Sequence, residues 1–317
     1  MNRRSAMRTL ISAGAGSLFS PCLFAGPGDG DDQEDLIIRA ETRLVLLDVS
    51  VKTPAGGFVS GLSKENFTVV ENGRPQPIMT FDDGDMPVTV GILVDESRSM
   101  APKRPAVLTA ALTFIGESNP KDEIFVLNFN DKVTPGLLSP TLFSDDIQEL
   151  RLALFRGVSE GRTVLNDAVV TGLDQLNLGM RDKKALVLIS DGGDNASTHT
   201  RRETIDRVER STATIYTIGL FDVDDADRDP GILRQLAGIS GGEAYFPPTP
   251  ADTIPACRRI ARDIRARYTL GYVPSAGKSA NNVRNIHVGA SAPGHGKLIA
   301  RTRSSYRYDQ VDAQKRK

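Results

Sequence analysis

Val88-Thr89-Val90-Gly91-Ile92-Leu93-Val94-Asp95-Glu96-Ser97-Arg98-Ser99 is the stretch whose reading decides the fold. An uncharged, mostly apolar run leads directly into the pattern D-x-S-x-S. A run of this length bounded by a polar loop reads as a strand buried on both faces. Such strands belong to open α/β sheets, where loops at the carboxyl ends of the strands form the ligand crevice. Two later pieces complete the pattern. Thr163 opens a helical segment, and Asp191 ends a second apolar strand over 185–190, just before Gly192-Gly193. Three hydroxyls and two carboxylates on separate loops form a candidate cage for one hard divalent cation: Asp95, Ser97, Ser99, Thr163 and Asp191.

Working outward, apolar strands at 88–95, 123–129, 185–190, 213–220 and 243–246 alternate with helical stripes. The stripes cover 105–117, 145–156, 163–177, 201–211, 231–238 and 251–267. The link Phe129-Asn130-Asp131-Lys132-Val133 is too short for a crossover, so the strand after it should run antiparallel. The expected fold is therefore α/β, a doubly wound, Rossmann-like, mostly parallel sheet with one antiparallel strand. Before it, Val45, Leu47, Val49 and Val51 alternate with less apolar neighbours. Asn72-Gly73 marks a turn between the runs 67–70 and 78–81. After it, Tyr268, Leu270 and Tyr272 alternate, and 284–288 and 298–301 are further strand candidates. Small isolated sheets are marginal, so the two flanks are expected to pack together as one small β domain into which the α/β unit is inserted. The resulting division is a signal peptide at 1–25, a linker at 26–35, an N-terminal β segment at 36–84, the α/β domain at 85–268, a C-terminal β segment at 269–308 and a tail at 309–317.

All five candidate ligands are oxygens, which selects Mg²⁺, Mn²⁺ or Ca²⁺ over zinc or copper, with Mg²⁺ foremost. Neutral hydroxyls as direct ligands leave a cation electrophilic. Where the two Asp act through water, an outside carboxylate gains by taking the open coordination position. Pro102 and Pro105, just after the motif, should make the start of the first helix irregular.

These residues resemble the von Willebrand factor type A domain, whose metal-ion-dependent adhesion site reads D-x-S-x-S, then Thr, then Asp. Ser190-Asp191-Gly192-Gly193 and Leu236-Ala237 with Gly241-Gly242 are similar to later parts of that family. The resemblance covers about 85–268. With 49–51, 62–67 and 71–73 added, it extends to secreted bacterial VWFA-related proteins of the Acidobacteria type. It implies a non-catalytic adhesion or protein-binding module in which a metal-bridged Asp or Glu of a protein partner completes the site. Two other readings stay open: a structural module of a cell-surface assembly with an idle metal site, and a metal-assisted hydrolase, which would need a base or nucleophile beside the metal.

The 317 residues carry a net charge of -1, which gives no reason to expect a nucleic-acid partner. Arg3, Arg4 and Arg8 precede a short apolar stretch up to Ala25, with no acidic residue before Asp29. That order reads as a secretory signal rather than a membrane span, and points to a secreted, periplasmic or cell-surface protein. Once the signal is removed, Cys257 alone remains of the two cysteines and reads as a buried core thiol. Gly238-Ile239-Ser240-Gly241-Gly242 matches G-x-S-x-G, but in the order helix, turn, strand rather than the strand, turn, helix of a nucleophile elbow. His199, His287 and His295 show no metal or triad spacing. Asp222, Asp224, Asp225, Asp227 and Asp229 crowd one loop, but Pro230 and Leu236 stand where an EF-hand needs Gly and Glu. An acidic rim of this kind favours a partner with basic residues around its single carboxylate.

Overall fold

The computed structural model describes residues 44–221, 228–275 and 282–307, and all five of the apolar runs at 88–95, 123–129, 185–190, 213–220 and 243–246 lie in one sheet. The signal, the linker, the tail and Asp222, Asp224, Asp225 and Asp227 fall outside the described residues. Strands β1 (Val45–Lys52), β2 (Phe67–Glu71), β3 (Arg74–Gln76) and β4 (Ile78–Asp82) come first. The alternating part runs β5 (Val88–Asp95), α1 (Arg104–Glu117), β6 (Glu123–Phe129), β7 (Val133–Pro135), α2 (Ile147–Phe155), α3 (Leu165–Leu176) and β8 (Lys183–Ser190). It continues with α4 (Arg201–Arg210), β9 (Thr214–Gly219), α5 (Pro230–Ser240), β10 (Ala244–Tyr245) and α6 (Thr253–Arg265). Strands β11 (Tyr268–Tyr272), β12 (Val283–Ala290), β13 (Ile299–Arg301) and β14 (Ser305–Arg307) close the chain.

The central sheet has the order β10-β9-β8-β5-β6-β7. All its pairings are parallel except β6 with β7, where the three-residue link allows nothing but a reversal. β5 sits in the middle and is buried along its whole length. Its Gly91 is a packing requirement: a Cβ there would lie 2.3 Å from the Phe125 ring and 2.6 Å from Leu186. Helix α1 packs on α2 and α6, while α4 packs on α3 and α5, so helices cover both faces. Ile92, Leu93, Phe114, Phe125, Leu150, Leu186 and Leu188 fill the resulting core. Cys257 is fully buried in it, and burial pushes its thiol up to about 12. Ser240 of the G-x-S-x-G stretch is buried too. Its Oγ accepts from Ile215 N and donates to Leu236 O, which makes it a helix-end residue rather than a nucleophile. Gly241, at φ 82°, ends α5 in the left-handed conformation.

The flanks form two antiparallel sheets, β13-β1-β11-β4 and β14-β12-β2-β3, each built from strands on both sides of the α/β unit. Leu47, Val49, Phe67, Val69, Leu270, Tyr272 and Val288 belong to one apolar cluster shared by the two sheets. One expected pairing is corrected. The Asn72-Gly73 turn, with φ 48° and 78°, closes a hairpin onto Arg74–Gln76, not onto the run at 78–81. That later run becomes β4 and pairs with β11 in the other sheet. Pro77 separates the two strands.

A buried polar cluster fastens the flanking sheets to the α/β unit. Asp263 on α6, 1 % exposed, accepts from Ser50 Oγ (2.5 Å) and Tyr216 OH (2.5 Å), and pairs with Lys52 (3.1 Å) and Arg267 (3.1 Å). Ser50 and Lys52 lie on β1, Tyr216 on β9. Burial alone would raise the Asp263 pKa, but Arg267 and then Lys52 hold it well below the usual carboxylate range. Its contribution is therefore present above the unfolded carboxylate pKa of about 4 and is lost on acidification. Asp263→Ala strands a buried guanidinium and should lower unfolding stability by about 3–5 kcal/mol, measured by denaturant titration at neutral pH.

Candidate metal centre

Parallel register determines what stands at the end of β5. Val94 lies opposite Ile189 of β8, so Asp95 is level with Ser190, and Asp191 follows one residue beyond. Asp95 accepts from Ser97 N at Oδ1 (2.8 Å) and from Ser190 Oγ at Oδ2 (2.6 Å). Ser99 Oγ donates to Asp191 Oδ2 (2.5 Å) and lies 3.2 Å from Ser97 Oγ. Gly193 N holds Asp191 Oδ1 at 3.1 Å. Four of the five sequence-identified residues therefore form one hydrogen-bonded chain. Thr163 is not part of that chain: its N–H donates to Asn195 Oδ1 and its carbonyl accepts from Asn195 and Ala196, which ties it to the loop after Asp191. Helix α3 starts at Leu165, so Thr163 stands just ahead of it rather than within it.

Asp95, Ser97, Thr163 and Asp191 are all at least nine-tenths buried, and Ser99 is half-buried. Burial, and after it the charge of Asp191, pushes Asp95 up to about 7, against the pull of its bonds from Ser190 and Ser97. A dry pair of neighbouring carboxylates favours a divalent cation, whose charge reverses that penalty. The spacing agrees: adjacent oxygens around six-coordinate Mg²⁺ at about 2.1 Å stand about 3 Å apart, close to the 3.2 Å between Ser97 and Ser99. Among the described residues no group of three or more His, Cys, Asp or Glu side chains converges, so any cation here depends on the hydroxyls as well. The residues present fit a hard divalent ion.

Several supporting residues escape a sequence reading. Glu96 is 1 % exposed and turns away from the carboxylate pair. It takes Arg104 Nε on both oxygens (3.1 and 2.9 Å) and Ser159 Oγ (2.5 Å). Arg104 also donates to Gly157 O, so the motif loop and the loop after α2 are stapled together. A Cβ on Gly157 would come within 2.1 Å of Glu96 Oε1. Ser190 is a second omission: it links Asp95 to Gly192 N (2.9 Å). His199 is held by Asp167 (Nδ1···Oδ1 2.6 Å) at the start of α3, and so fixes the loop that carries Asn195. The prolines act as expected, with a 3₁₀ turn over Arg98–Lys103 preceding α1.

The sequence matches the family described as "von Willebrand factor type A domain" over residues 89–256, and the chain belongs to that family. Several solved structures are similar to this chain. A von Willebrand factor type A protein from Catenulispora acidiphila is 14 % identical, with a TM-score of 0.50, covering 87 % of this chain and 77 % of that one. The vWF domain of the type V pili tip protein Mfa5 from Porphyromonas gingivalis is 15 % identical, covering 57 % and 95 %, with a TM-score of 0.47. BatB from Bacteroides thetaiotaomicron is 14 % identical, covering 56 % and 98 %, with a TM-score of 0.44. No curated protein sequence matches this chain.

The raised Asp95 pKa has a signed consequence for the metal-free protein. Between the unfolded carboxylate value of about 4 and the folded value, the folded state binds more protons, so stability falls as pH rises. In EDTA, Tm should fall between pH 5 and pH 8, and Asp95→Asn should flatten that fall. A wild-type profile without a fall over that range contradicts the charge arrangement.

Proposed function

We propose that this protein is an exported, divalent-cation-dependent protein-binding module. Asp95, Ser97, Ser99, Thr163 and Asp191 would hold the ion, with Mg²⁺ foremost and Mn²⁺ or Ca²⁺ as alternatives. The observation that carries this reading is the buried Asp95–Asp191 pair bridged by serine hydroxyls. When bound, the ion supplies a Lewis-acidic position that an Asp or Glu carboxylate of a protein partner can take. The chain's own residues do the rest. Ser190 and the Ser97 amide orient Asp95, Gly193 orients Asp191, and the Glu96–Arg104 staple holds the loop that presents Ser97 and Ser99.

Membership of the type A family supports a binding role over a catalytic one. So does the placement of His199, the histidine closest in sequence to Asp191, which Asp167 engages away from the carboxylate pair. Export is supported by the basic and then apolar N-terminal sequence. Among the described residues no helix is long and apolar enough to cross a membrane. One metal–carboxylate contact does not specify a partner, so the surrounding loops must add an interface of about 800 Å² per side.

Calorimetric titration of Mg²⁺ and Mn²⁺ into the purified chain tests the proposal. Saturable binding is expected, with loss in Asp95→Ala and in Thr163→Ala. Ser190→Ala, which removes an orienting hydroxyl, should weaken binding by about 10- to 100-fold. Binding that persists unchanged in both ligand variants, or none in the native protein, sinks the assignment.

A further inference from the structure

Helix α1 carries no charged residue from Pro105 to Gly116, yet one side of it reaches the surface. Its inner face is buried through Val107, Ala110, Ala111 and Phe114. Its outer face holds Pro105, Thr109 and Gly116, which are exposed, and Leu112, which is partly buried. A surface helix ordinarily carries charged residues on that side, and a helix without them reads as covered. Thr109 and Thr113 add little polarity. Their hydroxyls donate to Pro105 O and Thr109 O (2.9 Å each) and are satisfied within the helix.

A groove of about 450 Å³ runs between this face and α2. Pro105, Leu108, Thr109 and Leu112 form one wall, and Phe155 of α2 stands on the other. Phe155 is 49 % exposed, and α2 also exposes Ile147 and Leu152. Pro105 and Leu112 lie about 10 Å apart along the helix axis, the distance from i to i+7 on a second helix. The groove therefore has the length for two or three apolar anchors of a helix laid along it.

The charge around the groove has one sign. The Arg151 guanidinium lies 5.7 Å from the centre of the Phe155 ring. Arg156 follows at the end of α2, and its Nη1 donates to Gly136 O. Among the described residues neither arginine has a carboxylate partner, and no acidic side chain lines the groove. A second copy of this chain is a poor occupant, because a two-fold pairing through α2 would set arginine against arginine. A flat lipid surface would leave the concave part unfilled.

We propose that the α1–α2 groove docks an amphipathic helix of a protein partner, with its apolar stripe in the groove and acidic residues beside the stripe, facing Arg151. This site needs no metal and is independent of the metal-dependent reading above.

The test uses the full chain in EDTA, so that the metal centre contributes nothing. The probe is a fluorescein-labelled helical peptide of about fifteen residues, with leucine at i, i+4 and i+7 and glutamate beside them. A saturable rise in anisotropy is expected, with amide NMR shifts at Thr109, Leu112 and Phe155. Thr109→Glu places a like charge at an exposed position of the groove. It should weaken binding by about tenfold or more and leave Tm unchanged. Phe155→Ala should weaken it by about tenfold. Arg151→Glu should reverse the preference between this peptide and its counterpart with lysine in place of glutamate. The proposal is overturned if the glutamate peptide does not saturate, if its binding survives Thr109→Glu, or if the lysine peptide binds the native chain equally well. Sedimentation velocity and co-sedimentation with phosphatidylglycerol vesicles address the rival occupants. A dimer, or vesicle binding, that Thr109→Glu abolishes would give the groove to a second copy or to a membrane and sink the partner helix.

Discussion

Two carboxylates are held side by side out of water, and much of the surrounding structure follows from that constraint. Asp95 and Asp191 repel each other in a dry environment that penalises each of them. They stay together because β5 and β8 are adjacent, parallel and in fixed register. The register is set by apolar side chains far from the site: Ile92, Leu93, Leu186 and Leu188 are each almost fully buried. Core packing thus supplies the free energy that keeps like charges adjacent. Hydroxyl and amide donors from Ser97, Ser99, Ser190 and Gly193 then offset part of the local penalty.

The loops around the pair are rigid for identifiable reasons. Glu96, Arg104 and Ser159 close one side with charge-assisted bonds, and Asp167, Asp194 and Asn195 close the other. Both sets lie on loops held by their own side chains, so the carboxylate pair is framed by groups already paired among themselves. Asp194 belongs to this frame, since it accepts from the Asn166 N–H and from Ser197.

How much of this could be read from the sequence depended on range. The apolar runs and helical stripes located the strands and helices of the central sheet, because double burial writes itself as composition. The short link after Phe129 gave the antiparallel strand from chain length alone. Asp95 and Asp191 were placed at the ends of neighbouring strands by the apolar runs before them, and the structure links Ser97 and Ser99 to them as their spacing suggested. The hairpin partner of β2 differed from the expectation because Arg74-Pro75-Gln76 carries no apolar run, whereas the run at 78–81 does and pairs elsewhere. Ser190 looked like one more strand residue until register placed it level with Asp95. Glu96, Asn166 and the Asp263 cluster owe their meaning to partners such as Arg104, Asp194 and Ser50, and no local pattern encodes those contacts.

The pairing of β4 with β11 has a mechanical consequence. Asp82, where the chain leaves the flanking sheets, lies opposite Thr269, where it has just returned to them. The α/β unit is therefore hung from two neighbouring strands of one sheet. Tension applied at the carboxylate pair reaches that sheet through both connections at once, and the load divides between two strands. A linear arrangement of domains would pass the same force through a single peptide link.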